Sequence, residues 1–240
     1  PRGARDYVPA LLWDGKFVVW HKIPDFLEKQ VKEPRLYPKG MKGVAKVVED
    51  WGHQVLEEKA ARLKPGQTGM VALDWWNGNR TVLVDPNLTG LIVGLTLGTR
   101  PEEIFMALIE ATAFGARVIM ERIQEYGVKV EEVITCGGLA ERNPFLMQIY
   151  ADVTGRPMKV SRSAQTCALG AVMFGAVAAG HFSKVEDAQA AMSGLKDTVY
   201  TPNPANRATY DRLYALYRKL HDSFGTRDSS ESLYGVMKGL

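Results

Sequence analysis

Residues 130–151 hold the side chains and spacings best suited to chemistry. A compact strand over 130–135 runs into Cys136-Gly137-Gly138, and Asn143-Pro144 then opens a helix that Gly155 ends. Two glycines leaving a strand let a ligand approach the backbone, and a helix behind them offers unpaired N–H groups carrying partial positive charge. Such a turn suits a nucleotide, although the same two glycines equally serve to bend the chain. Neither the dinucleotide fingerprint nor the P-loop is present, because neither spacing of Gly, Lys and Ser/Thr occurs. The histidines His21, His53, His181 and His221 are scattered without ligand spacing and read as structural or surface residues, so no metal ligands are nominated.

The elements that must position this turn alternate between strand and helix. A strand over 69–74 runs into Trp75-Trp76-Asn77-Gly78, where Asn-Gly marks a tight turn. Strands over 81–84 and 90–97 follow, rich in Val, Ile, Leu and Thr. The strongest helix covers 101–126: Thr99 and Glu102 have capping-box spacing, Pro101 sits in the first turn and Gly127 stops it. A helix over 166–179 carries Ala168, Gly170, Ala171, Gly175 and Ala178, small enough for backbone to approach backbone. A last helix over 205–224 places Tyr210, Leu213, Tyr214, Tyr217 and Leu220 on one side and is expected to cover the domain's edge.

Residues 1–64 read as an irregular and helical lead-in, with a short strand over 16–23 and a helix over 44–63. Residues 65–225 read as one α/β domain, and 226–240 as a loosely held tail. The chain has 240 residues, 46% of them apolar, enough for a sizeable core. Thirty Lys+Arg against 27 Asp+Glu leave a charge of +3 with no basic tract, which disfavours nucleic acid as a partner. The longest apolar run is short of the ~20 residues of a membrane span. Cys136 and Cys167 form neither a zinc motif nor a disulfide framework, so a reducing cytoplasm is expected.

Order and context sharpen this. Gly90-Leu91-Ile92-Val93-Gly94-Leu95, followed after seven residues by Glu103-Ile104-Phe105-Met106-Ala107-Leu108-Ile109-Glu110, resembles the second signature of the FGGY carbohydrate kinases. Leu108 departs from it, standing where that family carries a smaller or β-branched residue. The Gly137-Gly138-Leu139 turn, the helix with Asn143-Pro144-Phe145-Leu146-Met147-Gln148, the later Ala168-Leu169-Gly170-Ala171 and the Tyr-rich final helix also resemble that family, over residues 65–224. The stretch Asp74-Trp75-Trp76-Asn77-Gly78-Asn79-Arg80 is most similar to its ribulokinase branch.

The resemblance implies an actin-like ATPase (ribonuclease H-like) domain, α/β with a mixed sheet flanked by helices, in which two lobes close over ATP, Mg2+ and sugar. By that likeness Gly137 and Gly138 lie against the α-phosphate and ribose, Leu139 continues the loop, and Arg142 or Asn143 edges the adenine. Asp74 and Asn77 would offer hydrogen bonds to sugar hydroxyls, with Trp75 and Trp76 either walling the sugar cleft or packing in the core. The family's catalytic Asp belongs to a segment that nothing in residues 1–65 resembles; Asp6, Asp14 and Asp25 lack its small-residue loop, so no catalytic residue is nominated. The expectation is therefore the C-terminal, ATP-binding fragment of a kinase that phosphorylates a ketopentose, L-ribulose, in arabinose catabolism, inactive without its N-terminal lobe and compatible with a homodimer. The alternatives are a non-catalytic actin-like binding or assembly module and, more weakly, a dinucleotide-binding oxidoreductase domain, which the missing glycine fingerprint disfavours.

Overall fold

The computed structural model describes residues 8–13, 16–20, 55–228, 230 and 232–239. The chain divides into two units, one formed by Pro1–Leu63 with Arg100–Phe105, the other by Lys64–Thr99 with Met106–Leu240. In the first, β1 (Val8–Trp13) pairs antiparallel with β2 (Lys16–Trp20); of the short strand expected over 16–23, residues 21–23 lie outside the described residues. Residues 55–60 are helical, whereas 44–54 of the expected helix lie outside the described residues.

In the second unit β3 (Val71–Leu73) pairs antiparallel with β4 (Leu91–Val93). A three-stranded mixed sheet has β5 (Val133–Thr135) parallel to β6 (Met158–Ser161), which is antiparallel to β7 (Leu195–Tyr200). The helices are α1 (Pro101–Glu125), α2 (Gly138–Arg142), α3 (Pro144–Thr154), α4 (Thr166–Ala178), α5 (Val185–Met192), α6 (Arg207–Gly225) and α7 (Tyr234–Gly239). This is the expected α/β arrangement of a mixed sheet flanked by helices.

Helix α3 forms where its caps require. The Asn143 side chain accepts from Leu146 N at 2.7 Å, Pro144 occupies the first turn, and Gly155 closes the helix at φ +67°. Its buried Met147 and Ala151 pack with Met158 and Val160 of β6, and Tyr150 and Val133 lie against that cluster. Helix α6 does more than cover an edge: Tyr210, Leu213, Tyr214 and Tyr217 are buried, and the Phe114 ring of α1 meets Tyr210, Tyr214 and Tyr217 at centroid distances of 6.3, 6.0 and 5.4 Å. Aromatics spaced four and three apart, with Leu213 beside them, make one apolar stripe on a helix, and a stripe that wide becomes core.

Four local expectations are corrected. Residues 81–84 are not a strand, because Asn79 Oδ1 captures the backbone N–H groups of Val82 and Leu83 at 3.3 and 3.0 Å, leaving them none to give a neighbouring strand. The cap of α1 is one residue later than expected: Glu103, rather than Glu102, reaches back to accept from Arg100 N at 2.8 Å, while the Thr99 hydroxyl oxygen accepts from Thr96 N. In α4, a Cβ at Gly170 or Gly175 would meet nothing within 4 Å among the described residues, so no described backbone packs closely on these glycines. The tail is also tied down: Met237 of α7 is buried, and Tyr234 and Lys238 both donate to the Asp85 carboxylate at 2.6 Å.

Candidate functional site

The residues singled out in sequence fall into two places. Asp74, Trp75, Trp76 and Asn77 line one cleft of about 550 Å³; the other site residues, 137–143, are absent from its lining.

The cleft begins where β3 ends. Asp74 follows the buried Leu73, and the chain then turns at Gly78, whose N–H donates to Trp75 O at 3.1 Å and whose φ of +77° favours glycine. The two tryptophans divide between the roles that sequence left open. Trp75 is 1% exposed, its ring edge-on to His221 at 5.4 Å, whereas Trp76 is 57% exposed and lies so close over Gly90 that any side chain there would collide with its ring.

Asp74 is half-buried and accepts the Tyr217 hydroxyl at 2.9 Å. Its Oδ2 comes within 2.6 Å of where a Cβ at Gly115 would stand, so the carboxylate seats against the bare backbone of α1. Burial raises the Asp74 pKa above the ordinary carboxylate value, with the Tyr217 hydrogen bond and the His221 charge opposing it. His221, taken in sequence as merely structural, is buried beside this group. Its Nδ1 meets Asp222 at 2.9 Å, its Nε2 has no hydrogen-bond partner among the described residues, and burial lowers its pKa. The cleft also takes Thr112, Gly115, Ala116 and Ile119 from α1 and Tyr150 from α3. Sequence reasoning missed these because the stripe of α1 and the aromatic run of α6 signal burial, not which polar atoms meet.

The diglycine turn lies at the C-terminal end of β5. Gly137 has φ +91° and ψ 171°, a conformation essentially reserved for glycine, so the backbone alone accounts for it. Gly138 differs: it is helical, and a Cβ there would meet only the tip of the Arg142 guanidinium, at 3.4 Å. Leu139 and Arg142 are exposed, Glu141 pairs with Lys196 at 2.7 Å, and Asn143 is engaged in capping α3. Tyr150 lies seven residues beyond that cap, about 10 Å along the same helix. Cys136 and Cys167 are both exposed free thiols. Among the described residues no three His, Cys, Asp or Glu side chains converge as metal ligands, and no helix is long and apolar enough to cross a membrane.

The mixed α/β fold flanked by helices is that of a class of kinase domains to which comparison assigns the chain. Residues 14–179 match the FGGY family of carbohydrate kinases, C-terminal domain, and the chain belongs to that family. It is ribulokinase-like: it is 49% identical over 181 residues to the ribulokinase of Bacillus licheniformis, covering 74% of this chain and 33% of that protein. It is 53% identical over 192 residues to that of Geobacillus thermodenitrificans, covering 78% and 33%. The chain thus spans about a third of the length of the curated relatives it matches. Among solved structures, the xylulose kinase of Rhodospirillum rubrum superposes with TM-score 0.63 at 26% identity, over 83% of this chain and 37% of that one. The ligand-bound xylulose kinase of Lactobacillus acidophilus gives 0.63 at 24%, over 76% and 38%, a likeness of fold alone.

Proposed function

We propose that this chain is the nucleotide-binding C-terminal lobe, of actin-like (ribonuclease H-like) fold, of a kinase that moves the γ-phosphoryl of Mg-ATP to a hydroxyl of a ketopentose, L-ribulose. The substrate follows from the ribulokinases among its relatives. The observation that carries the nucleotide assignment is Gly138. Among the described residues nothing demands a glycine there, since a Cβ would meet only a movable guanidinium tip, and a bare backbone beside Gly137 leaves room for a phosphate and ribose.

In this reading Gly137 and Gly138 lie against the α-phosphate and ribose, and Leu139 offers exposed apolar surface. Arg142 takes the adenine edge in preference to Asn143, whose side-chain oxygen already serves Leu146 N. Asp74 and Asn77 hold sugar hydroxyls, Trp76 forms the outer wall of the cleft, and the buried Trp75 supports it from behind. Mg2+ would enter with the nucleotide phosphates. The base that deprotonates the attacking hydroxyl would come from the N-terminal lobe of the longer protein, so this chain alone would transfer no phosphate. The contribution of this lobe is positioning, which dominates phosphoryl transfer.

The test is calorimetry of ADP binding to the full-length kinase with Gly138→Ala and Gly138→Asp. Both variants are expected to melt like the parent, with ADP affinity reduced at least tenfold in Gly138→Asp and sugar affinity unchanged. Parent-like ADP binding by Gly138→Asp overturns the assignment.

A further inference from the structure

The cleft wall formed by Trp76, Gly78 and Asn79 is backed at three points by the segment 85–90. Asn79 and Asp85 exchange two backbone hydrogen bonds, Asn79 N to Asp85 O at 2.9 Å and Asp85 N to Asn79 O at 2.8 Å. The Pro86 backbone lies where a Cβ at Gly78 would stand, and Gly90 lies against the Trp76 ring. The segment 85–90 is held in turn by α7. Asp85 Oδ2 accepts from the Tyr234 hydroxyl and Oδ1 from Lys238 Nζ, each at 2.6 Å, while Asn87 N gives Oδ1 a third bond at 2.9 Å. The Thr89 hydroxyl donates to Sδ of the buried Met237, and just before α7 Leu233 N donates to Ser223 O of α6 at 2.7 Å. A lone surface ion pair is worth little, but here one carboxylate takes three donors beside a buried methionine. Three layers therefore follow one another: α7, the segment 85–90 and the cleft wall.

We infer that Asp85 is a positioning residue through which α7 sets the place of the cleft wall, and with it the hold on the bound sugar. Neither Asp85 nor any residue of α7 lines the cleft, so the action is relayed. Tyr234 and Lys238 fix the carboxylate, the Asp85 backbone fixes Asn79, and Trp76 and Asn77 are carried on the same turn. That turn is stiff enough to transmit the constraint, since Asn79 Oδ1 also holds Val82 N and Leu83 N. A binding wall displaced by about 1 Å loses much of its hold on a ligand, which is why a site on a loop needs a supporting layer behind it. The inference rests on the proposed assignment of this cleft to the sugar.

The experiment uses the full-length kinase with Asp85→Asn, with the double substitution Tyr234→Phe/Lys238→Met, and with all three together. Steady-state kinetics are read well below the melting temperature of each variant, so that only folded enzyme is compared. Asp85→Asn and the α7 double variant are each expected to raise the ketopentose KM about fivefold, the size of one hydrogen bond, with kcat and the ATP KM at parent values. The three together should cost no more than Asp85→Asn alone, because both routes run through one carboxylate, and the effect of Asp85→Asn should shrink when Trp76→Ala has already removed the outer wall. A purely structural clasp would lower the melting temperature and leave the sugar KM alone; that result overturns the inference, as do KM effects that simply multiply. Asp74→Asn separates the two readings. If it raises the sugar KM and Asp85→Asn does not, only the role of Asp85 falls; if neither moves it, the assignment of the cleft to the sugar falls as well.

Discussion

Tyr217 donates its hydroxyl to Asp74 across 143 positions of sequence, and the other oxygen of that carboxylate rests where a Cβ at Gly115 would intrude. Three elements therefore meet on one carboxylate: the end of β3, the middle of α1 and the third turn's worth of aromatics on α6. A hydrogen bond to a charged group is worth roughly 1.5–3 kcal/mol, so Tyr217→Phe is expected to destabilise the chain by about 2 kcal/mol at neutral pH. That bond favours the ionised carboxylate, so its contribution is lost as pH falls through the Asp74 titration. Gly115→Ala adds a helix-favouring residue worth about 1 kcal/mol but displaces the carboxylate. The variant should be less stable than the parent in urea denaturation, and the same substitution made in Asp74→Ala should be stabilising. A loss of equal size in both backgrounds would place the clash elsewhere.

Glu110 supplies a pH dependence opposite in sense to that of the Tyr217–Asp74 bond. It is 1% exposed on α1, close to Tyr210 and the Gly66 backbone, and its Oε1 has no hydrogen-bond partner among the described residues. Burial pushes its pKa up from 4.5 to about 7. An acid whose folded pKa is raised binds its proton more tightly when folded. Its stabilising contribution is full below the unfolded value and disappears as pH rises through the folded one. The chain should therefore lose about 3 kcal/mol between roughly pH 4.5 and pH 7 from this group. Denaturation midpoints measured across that range should decline more steeply for the parent than for Glu110→Gln, in which only the smaller contribution of groups such as Asp74 is left; an equal decline in both would assign the effect to another group.

What the sequence disclosed was what local chemistry controls. Asn143-Pro144 and Gly155 bracket α3 because a side-chain cap, a missing N–H and a left-handed stop act within one turn. The stripes of α1 and α6 were legible for the same reason. Residues 81–84 misled because their Val-Leu-Val composition favours a strand while a single side chain two residues earlier, Asn79, takes their N–H groups. The loop 74–77 could be nominated as a site from its own residues. Its partners Thr112, Tyr150, Tyr217 and His221 could not, because what unites them is the meeting of α1, α3 and α6, which no short window contains.

The adjacent tryptophans should respond differently to the same substitution. Trp75 is buried against His221, and its indole also limits the space at Gly225, where a Cβ would come within 2.9 Å of the ring. Trp75→Ala is expected to cost about 3–5 kcal/mol through the cavity it leaves. Trp76, with more than half its surface exposed, should cost less than about 1 kcal/mol as Ala. If Trp76 walls the sugar, its removal should raise the sugar KM of the full-length kinase with little change in melting temperature. Thermal melts of both variants beside one kinetic series would separate the two roles, and a Trp76→Ala enzyme with parent-like KM would return that residue to ordinary surface.

Arg117 is the remaining junction. From α1 it donates to Val153 O of α3 at 3.2 Å and to Asp211 of α6 at 2.7 Å, pairs with Glu121 at 3.1 Å, and stacks its guanidinium 4.0 Å from the Tyr214 ring centroid. Its side chain is only 13% exposed, but that of Asp211 is 42% exposed, so the ion pair is screened and worth little by itself. The weight should lie in the desolvated contacts, the Val153 carbonyl and the aromatic face. Arg117→Met, which keeps the apolar stem, is expected to cost about 2 kcal/mol, Arg117→Lys nearly as much because an ammonium cannot reproduce the planar fork, and Asp211→Ala less than about 1 kcal/mol. Urea denaturation of the three variants decides the matter: a loss in Asp211→Ala matching that of Arg117→Met would mean that the surface ion pair, and not the buried stacking, holds α1, α3 and α6 together.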